Sequence, residues 1–405
     1  MTKRFVTALS AAAAVVGALL PMTSEAIPAF ARQTGKACAT CHFQHFPVLN
    51  AYGQEFKAGG YTDMGKQGEI KGTDLSLPAV LNGSFLTKIR TQHTNGGTGA
   101  GTDATEVQFP DEFGFLLGGR AATNVGFLIE ASLIGAGQGP ALAGYKMPIT
   151  LHKTEGGVRF QAIPFTTDAL GSSYGFELLN TGAVRNVRVF EHRKESSAQQ
   201  YVGAGSGSAT GLAFVASSAD FFVNVSAWAP HINNSGAPAP NSRPESQYVR
   251  AAWLGNLMGF ESGAGVQMWS GKADNGAGVI VDTKATAVDF QAQGSVAAMP
   301  LGVYVTYASA PASDTANVGV VPQNLFNTGA KDAKAFTVAA ELGLFSHASV
   351  KAAFRNGTTN AGDVDNAFTT GVLYHVAQNI ELVAEHSHYS KNKGTLTTLM
   401  LESAF

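Results

Sequence analysis

The sequence predicts a mainly β fold: a transmembrane antiparallel β-barrel of about sixteen strands, with a small N-terminal α-helical domain that plugs its lumen. Three observations predict it. Segments of alternating polarity fill residues 76–405, short turns alternate there with long polar connections, and a compact segment holding both cysteines of the chain precedes them. We therefore expect three parts, at residues 1–26, 27–75 and 76–405.

The first part, residues 1–26, is typical of a cleaved secretory signal peptide. Lys3 and Arg4 form its positively charged start, residues 5–20 form an apolar run rich in alanine, and residues 24–26 are typical of a cleavage site. A protein of the bacterial outer membrane must be exported, and the outer membrane is the location that we expect.

The second part, residues 27–75, contains Cys38-Ala39-Thr40-Cys41-His42, the C-x-x-C-H pattern at which c-type haem is attached. We expect one covalent haem c, held by thioether bonds to Cys38 and Cys41, with His42 as the proximal ligand of its iron. A thioredoxin-like redox pair, half of a zinc site and a structural disulfide are the alternatives. The sequence shows neither the βαβ pattern nor the second Cys/His cluster that the first two require.

A short amphipathic helix is predicted after this pattern. Leu49, Tyr52 and Phe56 recur at spacings of three and four, and Gly59-Gly60 ends the series. About 40 residues around a haem are too few for a stable independent core. We therefore expect this domain to dock against the rest of the chain, which has a lumen to fill.

The sixth ligand of the iron has one leading candidate in the sequence. Met64 is far enough from His42 to reach the opposite face of the haem, where a methionine would raise the reduction potential. His45 follows His42 by three residues and shares its helix face, so it is a poor ligand for the opposite side. His93 is a weaker candidate, and an open or water-bound position is the remaining alternative.

The third part, residues 76–405, is typical of a series of antiparallel hairpins, because polarity alternates through segments of about eight to twelve residues. Paired segments flank short turns at 113–120 and 125–133, 212–217 and 221–228, 248–254 and 258–269, 335–342 and 346–354, and 368–376 and 380–389. Long connections rich in Gly, Ala, Asn, Thr and Pro are predicted at 94–106, 231–245 and 310–332. Short turns on one side and long loops on the other are typical of outer-membrane barrels.

The faces of the predicted strands suit lipid outside and a polar lumen inside. In residues 380–389, Leu382 lies on an apolar face, and Glu381 and Glu385 lie on the other. The last ten residues alternate in the same way and end in Phe405, which resembles the terminal signal of bacterial outer-membrane proteins. A closed barrel leaves no strand edge in hydrocarbon. A large periplasmic β-sandwich is the alternative.

The composition limits the partners that we expect. The formal net charge is -2 and charged residues make up 14% of the chain, so there is no basic footprint for nucleic acid. No apolar run after the signal peptide approaches the ~20 residues of a membrane-spanning helix. We therefore expect contact with outer-membrane lipid through strands alone.

The N-terminal domain resembles a known family. The matching residues are Pro28, Phe30-Ala31-Arg32-Gln33-Thr34-Gly35, Cys38-x-x-Cys41-His42, Phe46-Pro47-x-Leu49-Asn50, Gly53, Phe56-Lys57 and Gly60-Tyr61. In this pattern the segment is similar to the monohaem cytochrome c–porin fusions of the outer membrane, best known as iron oxidases of iron-oxidising bacteria. Tyr52 stands where the family pattern has phenylalanine, and along the barrel the resemblance is only architectural.

The resemblance implies an oxidoreductase that takes electrons from extracellular Fe(II) at the haem and passes them to a periplasmic c-type cytochrome. Three other functions remain open. They are electron exchange with another donor or acceptor, transport through a porin whose haem is accessory, and a haem peroxidase with an open distal site.

Residues that meet Fe(II) are only weakly indicated. Hard cations prefer oxygen ligands, and four acidic residues near a predicted loop supply them: Asp103, Glu106, Asp111 and Glu112. A solvated acidic loop is the simpler interpretation. His386 and His388 alternate onto one strand face with a spacing suited to a metal, although an ordinary pair at a strand end is the simpler interpretation there.

Overall fold

The computed structural model describes residues 29–65, 67–73, 75–96, 104–134, 141–232, 243–274, 279–313 and 324–405. The predicted signal peptide and Asp103 lie outside these residues. The described α-helices are Ala29–Thr34 (α1), Cys38–Cys41 (α2), Ala51–Ala58 (α3) and Ala198–Tyr201 (α4). None of the described helices is long and apolar enough to cross a bilayer.

Helix α3 is the short helix predicted after the Cys-x-x-Cys-His pattern. Asn50 caps its first turn, because the Asn50 side chain accepts a hydrogen bond of 3.0 Å from the Gly53 N–H. Gly59 follows its last residue. The predicted helix and its glycine end are therefore confirmed.

Three short 3₁₀ helices are described at Ser172–Gly175, Arg193–Glu195 and Lys391–Lys393, and the other regular elements are β-strands. The strands are Glu69–Lys71 (β1), Ser76–Pro78 (β2), Gly83–Asn95 (β3), Ala104–Ala122 (β4), Val125–Ile134 (β5), Ala141–Lys146 (β6), Ile149–Lys153 (β7), Arg159–Thr167 (β8), Ala209–Ser217 (β9), Phe221–Ala229 (β10), Ser246–Leu257 (β11), Phe260–Asp274 (β12), Ile280–Asp282 (β13), Ala285–Val296 (β14), Met299–Ala310 (β15), Ala333–Phe345 (β16), Ala348–Thr358 (β17), Ala367–Ala377 (β18), Ile380–Tyr389 (β19) and Thr395–Ala404 (β20). β1 and β2 form a separate small sheet.

Strands β3 to β20 form a closed antiparallel barrel, in which β20 pairs with β3. β6 and β7 are two halves of one strand, since both lie between β5 and β8. Pro148 lies at the break, where it cannot donate to the ladder. β13 and β14 similarly share β12 as a partner. Counted this way, the described chain forms a barrel of sixteen strands, which confirms the predicted antiparallel barrel and its strand number.

The two faces of the barrel wall differ as predicted. Leu382 and Leu399 point outward with 46% and 55% of their surface exposed, whereas Glu381 and Glu385 point inward with 5% and 3% exposed. Outward apolar residues would contact lipid, and inward polar residues would line the lumen. The strand faces predicted for residues 380–389 are confirmed.

One predicted connection is wrong in its boundaries. β3 continues to Asn95 and β4 begins at Ala104, so the predicted connection at 94–106 is shorter than expected. Glu106, Asp111 and Glu112 consequently lie on a strand rather than in a loop. The ladder of β3 and β4 extends this far because its side chains pair across the two strands, as Arg90 and Asp111 do at 2.6 Å.

A long segment between β8 and β9 was not predicted. Residues 168–208, which we call the infolded segment, bury Tyr174, Phe176 and Phe190 in the barrel interior. Glu177 lies 3.0 Å from Arg250 on β11, whose guanidinium also lies 2.6 Å from Asp289 on β14. Short turns separated by buried polar residues give this segment no helical or strand period, which is why the sequence pattern did not reveal it.

Residues 29–65, which we call the helical segment, contact the inside of the barrel and the infolded segment. A side chain at Gly126 on β5 would lie 1.8 Å from the Gly60 carbonyl oxygen, so only glycine permits this approach. The Asn180 side chain accepts from the Leu49 N–H and donates to the Leu49 carbonyl, both at 2.8 Å. These contacts hold the residues of the Cys-x-x-Cys-His pattern inside the barrel, against its wall.

Candidate functional site

Cys38 and Cys41 lie at the two ends of α2, and His42 follows directly. The His42 N–H donates to the Cys38 carbonyl over 3.0 Å, which holds the imidazole next to the turn that carries both thiols. All three side chains line one cavity of about 1300 Å³, including the space open to solvent, which we call the thiol cavity. The structure thus brings together the three residues that the sequence predicts to act together.

The wall of the thiol cavity is largely apolar. The ring centroids of Phe30 and Phe56 are 5.1 Å apart, and those of Phe30 and Tyr61 are 4.8 Å apart. Barrel strands add Leu86 and Leu128. Concave cavities lined mainly by apolar side chains, with a few polar groups, are typical ligand sites in proteins.

The His42 imidazole is neutral and its Nδ1 atom lacks a partner. Burial lowers the pKa of His42 to about 4, although the nearby Val48 backbone partly offsets this. The Nδ1 atom is buried with no hydrogen-bond partner in the described chain. A neutral imidazole is the form of histidine that binds metal ions.

The two cysteines are not joined to each other. Burial raises the pKa of the Cys38 thiol, and burial together with the neighbouring Cys38 raises the pKa of the Cys41 thiol. Both sulfurs are therefore protonated at neutral pH.

Three lysines contribute to the same wall. The Lys36 amine lies over the Tyr52 ring, and Lys146 on β6 donates to the Tyr174 carbonyl oxygen over 2.9 Å. The Lys57 amine on α3 makes no hydrogen bond or ion pair with any residue that the structure describes. Burial lowers the pKa of Lys57, with partial compensation from the charges of Glu177 and Glu130. A buried amine without a partner is suited to an anionic group of a ligand.

A second cavity of about 950 Å³, the short-turn cavity, lies on the other side of α2. Cys38 and His42 line it as well, together with Ser346 in the turn between β16 and β17 and Gln378 in the turn between β18 and β19. The candidate site therefore lies close to the barrel end that carries the short turns.

The other histidine of the pattern is occupied elsewhere. The His45 Nε2 atom lies 2.9 Å from a carboxylate oxygen of Glu341, and its Nδ1 atom lies 2.7 Å from the Phe46 carbonyl oxygen. His45 is thus a tether to β16, consistent with its low rank as a haem ligand in the sequence.

Met64 and His93 do not line the thiol cavity or the short-turn cavity. Met64 precedes Gly65, whose N–H donates to the Gln33 carbonyl over 3.1 Å and holds this turn against α1. His93 lies on β3 beside Thr105, with 2.9 Å between the His93 Nδ1 and the Thr105 hydroxyl. The role of Met64 as sixth ligand stays a prediction.

The acidic residues considered for Fe(II) do not form a cluster. Asp111 pairs with Arg90, and Glu112 lies 2.8 Å from Lys88. Among the residues that the structure describes, no three His, Cys, Asp or Glu side chains are grouped as a metal site. His386 and His388 lie on the outward face of β19, where the His386 Nδ1 atom is 2.8 Å from the Thr397 hydroxyl.

Two more cavities continue from this site toward the long loops. The middle cavity, of about 1430 Å³, shares Phe46 and Pro47 with the thiol cavity. The long-loop cavity, of about 2100 Å³, shares Arg90 and Arg193 with the middle cavity. The infolded segment supplies much of both walls. The sequence analysis did not identify these lining residues, because the segment has no helical or strand period.

Comparison with known proteins defines the fold and nothing finer. No family model and no curated protein sequence matches the chain. A mutant of the Rh. blastica porin has 14% identity and a TM-score of 0.50, over 80% of this chain and 100% of that one. Salmonella typhi OmpF in complex with daunomycin has 12% identity and a TM-score of 0.49, over 84% of this chain and 100% of that one. OmpT of Vibrio cholerae has 12% identity and a TM-score of 0.47, over 83% and 99%.

This chain has the porin-type barrel fold. The assignment rests on the closed antiparallel barrel and on the Rh. blastica porin. At such low identity, the likeness is one of architecture.

Proposed function

We propose that this protein is an outer-membrane barrel of the porin type that admits small solutes to its lumen and holds one haem c. One observation carries the proposal. Two thiols and a neutral imidazole, in the order that haem attachment requires, line an apolar cavity inside the barrel. The chain of cavities that leads from this site toward the long loops supports the solute pathway.

The residues of the thiol cavity fit a covalently held haem. Cys38 and Cys41 would supply the two thioethers, and His42 the proximal nitrogen. The neutral form of the His42 imidazole is the form that could ligate the iron. A haem bound there supplies reversible one-electron chemistry at its iron. The aromatic and leucine side chains would exclude water from it.

Lys57 and Lys146 are suited to the carboxylate groups of the cofactor. Both amines line an apolar cavity whose wall contains Glu130 as a single carboxylate. The uncompensated positive charge would favour an anionic substituent, since a buried charge is stable only when it is paired.

The fold also supports an orientation of the barrel in the outer membrane. In outer-membrane barrels the short turns face the periplasm and the long loops face outward, with lipid against the apolar band. His42 would then lie near the periplasmic side. That position is suited to exchange with a periplasmic c-type cytochrome.

Solute passage can be tested in liposomes. The purified protein should make liposomes permeable to small neutral sugars, whereas protein-free liposomes should exclude them. The Gly126→Ala variant is a useful comparison, because a methyl group there would overlap the Gly60 carbonyl and loosen the helical segment. A higher permeability in that variant would place the path beside the segment, and no permeability in any form would contradict transport.

Oxidation of Fe(II) is the second candidate function. The observation that favours it is the position of the thiol cavity, between the polar cavities and the short-turn end. Anaerobic mixing of oxidised protein with Fe(II) should give the reduced c-type spectrum at once. His42→Ala should abolish the response, and His388→Ala, on the outer face, should leave it unchanged. Reduction by dithionite but not by Fe(II) would indicate another electron donor.

A further inference from the structure

The long-loop cavity has an unbalanced set of charges. Most charged side chains in its wall are paired: Arg90 lies near Asp111 and Glu191, Arg355 near Glu195 and Asp365, and Lys391 near Asp363. Three cations in this wall, Arg185, Arg193 and Lys194, form no ion pair with the described residues. Asp168 is the one carboxylate in the described wall that forms none.

Arg185 and Arg193 face the same space, because both line the long-loop cavity and the middle cavity. The Arg193 Nε atom is buried and has no hydrogen-bond partner within the described part of the chain. Burial, and then the charge of Arg188, lower the pKa of Arg193 to about 10; the charge of Glu191 opposes this effect and the charge of Arg185 adds to it. The charges of Arg185 and Asp168 also interact, without an ion pair. Both guanidiniums therefore have a carboxylate in their surroundings, but neither is in direct contact with one in the described chain.

The infolded segment fixes both guanidiniums. Arg188, between them in the sequence, pairs with Glu191 at 2.9 Å and with Glu402 on β20. The Glu191 N–H donates to both carboxylate oxygens of Glu385 on β19 at 3.1 Å. The backbone on each side of Arg193 is therefore anchored to the barrel wall, and its position relative to the cavity is set before any ligand arrives.

We propose that Arg185 and Arg193 form a binding site for small oxyanions, phosphate or carboxylate, in the long-loop cavity. A guanidinium presents paired N–H donors that match the oxygens of both groups. This proposal rests on the proposed transport function and adds the class of substrate: the lumen favours anionic solutes. Free Fe(II) approaching by the same route is repelled, so an Fe(II) donor would have to arrive as an anionic complex or react elsewhere.

Binding can be measured on the full chain in detergent at low ionic strength, by titration calorimetry with inorganic phosphate and, separately, with succinate. Wild-type protein should bind at least one of them saturably, and the stronger of the two identifies the source of the oxyanion. Arg193→Gln and Arg185→Gln should each weaken binding by about tenfold or more. Lys153→Gln, which removes an exposed cation that lines none of these cavities, should leave the affinity unchanged.

Three results would overturn the site: no saturable binding by wild type, unchanged affinity in both arginine variants, or equal loss in the Lys153→Gln control. Arg185 is exposed, so Arg185→Gln should fold even if Arg193→Gln does not. Heat-modifiable electrophoretic mobility checks folding. Phosphate binding without sugar permeability would contradict transport and leave the site intact, whereas permeability without binding would remove the site and leave transport intact.

Discussion

Two segments contact the inside of the barrel, and they differ in how their polar groups are satisfied. The infolded segment is joined to the strands by paired charges and hydrogen bonds. The helical segment brings thiols, an imidazole and an amine to a cavity where they have no such partners. The difference separates structure from function: paired groups hold the lumen in shape, and unpaired groups remain for a ligand.

The infolded segment shows the first case. Glu177, Arg250 and Asp289 are fully buried and form one ionic network. The Thr181 hydroxyl donates to Asp289 over 2.6 Å, and the Asn180 N–H donates to Gln291 over 2.7 Å. These buried charges pair between the infolded segment, β11 and β14, so they hold the segment in one position. Arg185, Arg193 and Lys194 are exceptions among its cations, and they face the long-loop cavity.

The helical segment shows the second case. It also has paired side chains at the barrel, as in the pairs of His45 with Glu341 and of Glu55 with Arg159. The groups that could do chemistry are left available, namely Cys38, Cys41 and His42. Their arrangement around one cavity is what the proposed attachment of haem requires.

The largest expected effect comes from breaking the ionic network of the infolded segment. Arg250→Met leaves Glu177 and Asp289 buried without a cation, which should reduce the free energy of unfolding by about 3–5 kcal/mol. Arg159→Met is the matched control, because its partner Glu55 is half-exposed and such pairs contribute about 1 kcal/mol or less. Thermal unfolding measures both. Equal effects would contradict the special role of the buried network.

A steric change should detach the other segment alone. In Gly126→Ala the new methyl group would overlap the Gly60 carbonyl, and overpacking of this kind costs about 1–3 kcal/mol. Hydrogen exchange of the α3 amides should accelerate while the infolded segment stays protected. Gly114→Ala is the control, because its methyl group would lie at an ordinary 3.7 Å from the Ala131 carbonyl oxygen. Acceleration in both segments would show that they dock as one unit.

A smaller effect should appear as a pH dependence of docking. Burial alone would lower the pKa of His45, but the charge of Glu341, supported by Glu381 and opposed by Lys351, raises it above its ordinary value. The pair of His45 with Glu341 therefore contributes fully to the free energy of unfolding below about pH 6.5, and this contribution is lost as the pH rises through the raised pKa. The melting temperature should fall over that interval.

The pH dependence has its own control. Glu341→Gln should flatten the melting curve against pH, because the uncharged amide no longer stabilises the imidazolium. His388→Gln, on the outer face, should retain the wild-type slope. A wild-type protein that becomes more stable over the same interval would contradict the sign of the effect.

The smallest expected effect concerns Lys57. Removing this charge beside a haem should favour the oxidised iron, so Lys57→Gln should lower the midpoint potential. Lys71→Gln removes a lysine that is 73% exposed and should leave the potential unchanged. A potential that does not move in Lys57→Gln would place the haem elsewhere.

Local patterns in the sequence were enough to predict the barrel and α3. Alternation placed Leu382 outside and Glu385 inside because a strand has a period of two and one face meets lipid. Apolar spacing and the Gly59-Gly60 pair predicted the helix after His42. Cys38, Cys41 and His42 were found because their spacing is short and chemically specific, and the structure places them on one cavity.

Long-range pairing was not predictable in the same way. Arg250 meets Glu177 from 73 positions away, and no local period indicates that contact. The acidic residues of β4 were assigned to a loop because their pairing with β3 cannot be seen from composition. The anion site was missed because it depends on which cations in the lumen lack partners, a property of the folded arrangement alone.

The most direct test of the central claim is haem staining of the protein after full denaturation, with the absorption spectrum of its pyridine complex. The protein should be produced in cells that attach c-type haem. Wild type should retain one haem per chain in SDS with reductant, and a Cys38→Ala/Cys41→Ala variant should lose it while the barrel still folds. A wild-type chain without covalent haem, or a double variant that keeps it, would contradict the account.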